Sequence, residues 1–168
     1  RLADAMEEFH ELVKVLGVPV ITGMSSVDAM ASEDPLFVGR SGGTGTRPGN
    51  FALQNSDVLL SIGNRQGFAQ TGFQYQDWAR ESFTILNDID ENELKKPSLH
   101  VSLPVWGDAG ELIRKLLSAA VKRGASEKQP LFKGQDWKDQ CLLWKQKYPV
   151  VTSRHYETIE EGCTNIYA

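Results

Sequence analysis

Cysteine is scarce: Cys141 and Cys163 are the only two among 168 residues, and they have neither the paired spacing of a metal site nor that of a disulfide framework. No apolar run approaches the ~20 residues that a membrane-spanning helix needs, so no membrane partner is expected. Basic residues are in the minority. Lys and Arg total 18 against 22 Asp and Glu, a formal charge of −4, and they form no block interleaved with aromatics. That pattern excludes a nucleic-acid footprint. With no secretory signal and no cysteine framework, a reducing cytoplasm is the expected setting. His10, His100 and His155 are far apart and have no nearby nucleophile, so a hydrolase triad has no support. No Gly-x-Gly-x-x-Gly follows a strand, which disfavours a free-standing dehydrogenase.

What is present is a regular alternation of elements. Leu2, Met6, Phe9, Leu12, Val13 and Leu16 recur at steps of three and four, predicting a helix over about 2–16 that Gly17 stops. The first residue is not Met and helix begins at once, so sequence is expected upstream. Val18 to Thr22, Asp57 to Gly63 and Phe83 to Ile89 are short continuous apolar runs rich in β-branched residues, as buried parallel strands are. A helix is expected around Gly49 to Gln54 and a short edge strand at His100 to Val105. Asp108 is placed to cap a helix burying Leu112, Ile113, Leu116, Leu117 and Ala120. This order predicts an α/β fold with a parallel sheet. The compact part is expected at 1–123. Residues 124–168 read as a linker with an amphipathic helix over Asp136 to Lys147, stopped at Tyr148-Pro149, and then a tail without periodicity.

Open parallel sheets bind ligands beyond the carboxyl ends of their strands. The stretch from Gly39 to Arg47 offers flexible backbone, hydroxyls and two cations for a pyrophosphate, or it is a turn whose glycines allow positive φ. Arg65 suits either a phosphate or a surface carboxylate. Asp88 suits either ribose hydroxyls or a turn cap. Asp90, Glu91 and Glu93 cluster without His or Cys and read as a solvated turn, so no metal site is assigned.

Taken in order, Gly17 to Thr22, Asp34 to Gly39, Gly42 to Thr46, Ala52 to Arg65, Asn87 to Leu94 and Trp106 to Ala109 resemble the middle domain of the thiamine diphosphate-dependent acetolactate synthase family. The resemblance covers residues 1 to about 120. It implies a Rossmann-like, DHS-like NAD/FAD-binding fold: a six-stranded parallel sheet flanked by helices, with the first strand absent here and the sheet therefore incomplete or compensated by partner contacts. It implies a nucleotide groove along Thr22, Gly23, Ser41, Gly42, Gly43, Thr44, Gly63, Arg65, Asp88, Ile89, Asp108 and Ala109, holding FAD, ADP or nothing. Thr44 stands where FAD-holding members usually have His, and Gln66 to Ala69 replaces a stretch of acidic and basic residues. Thiamine diphosphate and Mg²⁺ would bind flanking domains of the same protein, so no catalytic residue is expected in this chain. The parent would be a 2-oxo acid-condensing or decarboxylating enzyme, a homodimer or homotetramer, and this piece alone non-catalytic. The alternative is an FAD- or ADP-binding module with a regulatory or structural role.

Overall fold

The computed structural model describes residues 2–153. It is α/β, with parallel sheets flanked by helices. Helix α1 spans Met6–Leu16, β1 Val20–Thr22, β2 Phe37–Arg40, α2 Arg47–Asn55, β3 Val58–Ile62 and α3 Phe68–Thr71. Then come β4 Phe83–Asp88, α4 Glu91–Lys95, β5 Leu103–Trp106, α5 Ala109–Lys122 and α6 Gln135–Lys147.

Helix α1 is one turn shorter at its start than the periodicity suggests, because residues 2–5 turn and Asp4 holds φ 45°. Its end is as expected: Gly17 adopts φ 68° and donates its N–H to the Val13 carbonyl at 2.8 Å, satisfying a last-turn acceptor. At α2, the Thr46 hydroxyl accepts from the Gly49 N–H at 3.2 Å and Pro48 sits where no N–H is needed. Asp108 caps α5 as its position foretells, accepting from the Glu111 N–H at 3.0 Å.

The strands form two parallel sheets rather than one: β1–β2, and β3–β4–β5. Val58 to Ile62 runs in unbroken register with Phe83 to Asn87, and Ile85 to Asp88 with Leu103 to Trp106. The β1–β2 register shifts between Val20 and Ile21. The same two layers cover both sheets. On one face, Leu12 of α1 packs with Ile113 of α5 beside Ile62 of β3, while the adjacent Val13 packs with Phe37 and Val20 of β1–β2. On the other, Leu53 of α2 packs with Trp78 and Ala79, and both Ile21 of β1 and Leu59 of β3 lie against that cluster. So β1 and β3 are neighbours beneath shared helices, yet among the described residues no ladder joins them and each is hydrogen-bonded along one edge. The incomplete sheet expected from the resemblance takes this form.

The segment 124–134 is more firmly attached than its linker-like composition suggests. The Leu131 and Phe132 N–H groups donate to the Val15 and Leu16 carbonyls at 3.1 and 2.9 Å. Helix α6 then buries Cys141 against Val38 of β2 and Ala52 of α2, with Trp137 and Trp144 alongside, their rings edge to face at 5.7 Å. Lys145 adds a polar fastening, donating to the Asp34 and Phe37 carbonyls at 3.0 and 2.7 Å. Burial lowers the Lys145 pKa, opposed by Asp34 and Glu33. The expected tail beyond Ser153 lies outside the described residues.

Candidate functional site

The carboxyl ends of the strands gather most of the residues singled out from the sequence, in two groups. The first surrounds β1 and β2. Thr22 is buried at the end of β1, its carbonyl accepting the Ser41 N–H at 3.0 Å, and its hydroxyl has no partner among the described residues. Gly23 follows, its N–H donating to the Ser26 hydroxyl at 3.2 Å. The Gly42 N–H donates to Asn50 Oδ1 at 2.8 Å, while Asn50 Nδ2 returns a bond to the Gly42 carbonyl at 3.1 Å. The Gly43 N–H donates to the Ala69 carbonyl at 3.0 Å. Gln70 joins the segments: with its NH₂ turned toward Ser41 it donates to that hydroxyl at 3.1 Å, and its oxygen accepts the Met24 N–H at 2.9 Å.

These bonds spend most of the turn's backbone donors. The Gly45 and Thr46 N–H groups go to the Gly42 and Arg40 carbonyls at 2.9 Å each, leaving only the Thr44 amide of 41–46 without a hydrogen bond among the described residues. The glycines have a packing reason as well. Gly42 sits at φ 101°, and a methyl group there would collide with the Ala69 carbonyl.

The second group surrounds the larger sheet. Gly63 turns at φ 56°, donates to the Asn87 carbonyl at 3.0 Å, and lies so close to Ala109 that a Cβ would come within 3.1 Å of the alanine methyl. Asp88 is buried and accepts the Asp90 N–H at 2.9 Å, so its carboxylate caps the turn into α4. The exposed Ile89 lends its carbonyl to the Trp106 indole N–H at 3.0 Å. Asp108 and Ala109 open α5.

Arg65 stands apart, its side chain 81% exposed, with Nε 2.8 Å from Glu93 Oε1. Glu93 also binds Lys96 at 2.9 Å, and the Lys96 ammonium donates to the Arg65 and Gln66 carbonyls. The acidic run is thus structural: Asp90 caps α4, Glu93 anchors two cations, and Glu91 pairs with Lys95 at 2.7 Å.

Sequence reasoning misses three polar residues at these ends. Asn87 is fully buried and donates to the Val105 and Gly107 carbonyls at 3.0 and 2.9 Å, leaving Oδ1 without a partner among the described residues. Gln66, at φ 51°, is buried and donates to the Ser61 hydroxyl at 2.8 Å, and Gln70 bridges Ser41 and Met24. An Asn inside an apolar run was the one available signal, since a strand spends a buried amide only where it has carbonyls to satisfy. Among the described residues, no helix is long and apolar enough to cross a membrane.

Residues 1–116 match the family profile described as the thiamine pyrophosphate enzyme central domain. A probable acetolactate synthase large subunit of Methanococcus aeolicus is 35% identical over 116 residues, 69% of this chain and 19% of that protein. The acetolactate synthase large subunit of Corynebacterium glutamicum is 31% identical over 147 residues, 88% of this chain and 22% of that protein. The acetolactate synthase isozyme 3 large subunit of Escherichia coli is 24% identical over 158 residues, 94% of this chain and 27% of that protein. The chain therefore spans about a quarter or less of the length of these curated relatives.

Proposed function

The chain belongs to the thiamine pyrophosphate enzyme central-domain family, and from that premise we propose that it is the structural middle domain of an acetolactate synthase-like enzyme, itself without catalytic residues. The observation that carries this reading is that the similarity over 1–116 coincides with a folded α/β body whose strand-end polar groups mostly bind one another. Flanking domains of the same protein would hold thiamine diphosphate and Mg²⁺, supplying the electron sink for condensation or decarboxylation of 2-oxo acids. What these residues contribute is position. Helix α6 and the 124–134 segment extend the unit past residue 123, and Tyr148-Pro149 leads away toward the next domain. The half-paired β1 and β3 offer donors and acceptors to one more strand of the parent. Phe68 and Phe73, with ring centroids 5.9 Å apart, and the exposed Ile89 and Trp106 are apolar surface for a neighbouring domain or a second subunit of a dimer or tetramer to cover.

Calorimetric titration with thiamine diphosphate and Mg²⁺ tests this assignment. The protein expressed in its full reading frame should bind saturably and the 168-residue chain should not. Saturable binding to the chain, or none to the parent, contradicts it.

A second reading, an FAD or ADP site along Thr22 to Ala109, draws support from two buried oxygens without partners among the described residues, Thr22 Oγ1 and Asn87 Oδ1, at the ends of β1 and β4. Against it stand the spent amides of 41–46 and the Arg65–Glu93 pair, which leave a pyrophosphate few backbone donors and no free cation at Arg65. Titration of the parent with FAD and with ADP separates the two: the structural reading expects neither to bind saturably.

A further inference from the structure

Between the turn after β2 and the end of α6 lies a cavity of about 290 Å³, lined by Arg40, Thr44 to Arg47, and Tyr148 to Val150. It shares only Thr44 with the strand-end groove and does not rest on the function proposed above. Its walls come from segments a hundred residues apart, joined because α6 docks on α2 and β2 through Cys141, Trp144 and Lys145. Two arginines line one small space. Arg65, Arg80 and Arg114 each pair with a carboxylate, whereas neither Arg40 nor Arg47 has an ion pair or a side-chain hydrogen bond among the described residues. Arg47 is nonetheless held in place, its Cζ 5.4 Å from the centroid of the Tyr148 ring, and that ring in turn meets Phe51 edge to face at 5.7 Å. A cation–π contact fixes a guanidinium while leaving its N–H groups unspent. Like charges lining one cavity repel each other until an anion enters.

We propose that this cavity binds a phosphate group. Arg40 and Arg47 would supply charge-assisted donors. The Thr44 hydroxyl, which donates a long 3.7 Å hydrogen bond to Met24 Sδ, would exchange that weak bond for a phosphate oxygen as a third. The Tyr148 ring, Pro149 and Val150 form an apolar wall beside these donors. The ligand chemistry is thus that of inorganic phosphate or of a phosphomonoester whose organic part lies on Tyr148.

The test is a titration of the full 168-residue chain followed through the backbone amide resonances of Gly45 and Arg47, at constant ionic strength held with chloride. One arm uses inorganic phosphate and the other phenyl phosphate. Saturable shifts confined to the 40–47 and 148–150 segments are expected, with Arg40→Met and Arg47→Gln each weakening affinity about tenfold and Arg80→Gln, at an exposed arginine paired with Asp77, leaving it unchanged. Tighter binding of phenyl phosphate than of phosphate assigns the ester, and equal binding assigns the free ion. Absence of saturation with both ligands, or an affinity unchanged in the Arg40→Met/Arg47→Gln double variant with its dispersed spectrum retained, overturns the proposal.

Discussion

Shortening Leu12 to Ala should loosen both sheets at once, because α1 splints strands that do not pair with each other. Leu12 is 2% exposed and packs with Ala5 and Ile113, with Phe9, Leu16, Ile62, Leu116 and Leu117 alongside, while the neighbouring Val13 holds β1–β2. Truncation removes three carbons, worth roughly 2.4 kcal/mol at ~0.8 kcal/mol each, and the residual cavity brings the loss to about 3 kcal/mol. For a chain of this size that corresponds to a fall in melting temperature of about 6–12 °C. Urea unfolding should be followed by two probes. In a Trp106→Phe background, tryptophan fluorescence reports on Trp78, Trp137 and Trp144, which pack with α2, β1 and α6 on the face opposite α1, and far-ultraviolet circular dichroism reports on all the helices. Both midpoints should move together. A loss below about 1 kcal/mol, or a dichroism shift that leaves the fluorescence midpoint in place, would refute the splint argument.

Three further outcomes follow from single contacts. Gly42→Ala forces a methyl group against the Ala69 carbonyl at φ 101°, so about 2–3 kcal/mol should be lost, with faster hydrogen exchange at the Gly43 amide; unchanged stability and exchange would show that the turn relaxes freely. In a Cys163→Ser background, burial pushes the Cys141 thiol up to about 11, so at pH 8 its reaction with a disulfide reagent should be about a hundredfold slower than in urea. Equal rates would mean that α6 does not stay docked. Arg65→Ala breaks an exposed pair with Glu93, which keeps Lys96, and should cost under about 1 kcal/mol by chemical denaturation; a larger loss would assign Arg65 a structural part that the geometry lacks.

The parts of the fold legible in the sequence are those whose signal is local. The apolar runs that became β3 and β4 were continuous and bounded by small or acidic residues, and Gly17 and Asp108 announced their caps because capping acts within four residues. Strand β2 was hidden because Phe37–Arg40 is four residues long and runs into the glycine-rich turn that dominated the reading of that stretch. Helix α4 was hidden because a single turn begun by Asp90 looks, in composition, like a solvated acidic cluster. Docking of 124–147 was illegible for a different reason: Leu131 with Val15, and Cys141 with Val38, are pairings across about a hundred residues that no window contains. At the strand ends the positions were legible through the family resemblance, but their partners were not. Arg65 and Asp88 each suited two roles by residue type, and only the fold supplied Glu93 28 residues away and the Asp90 amide.

The most direct test of a structural middle domain is turnover. The protein expressed in its full reading frame should consume a 2-oxo acid such as pyruvate, by condensation or decarboxylation, only when thiamine diphosphate and Mg²⁺ are present, while the 168-residue chain under the same conditions consumes none. Pyruvate turnover by the chain alone, or thiamine-independent turnover by the parent, would contradict the account.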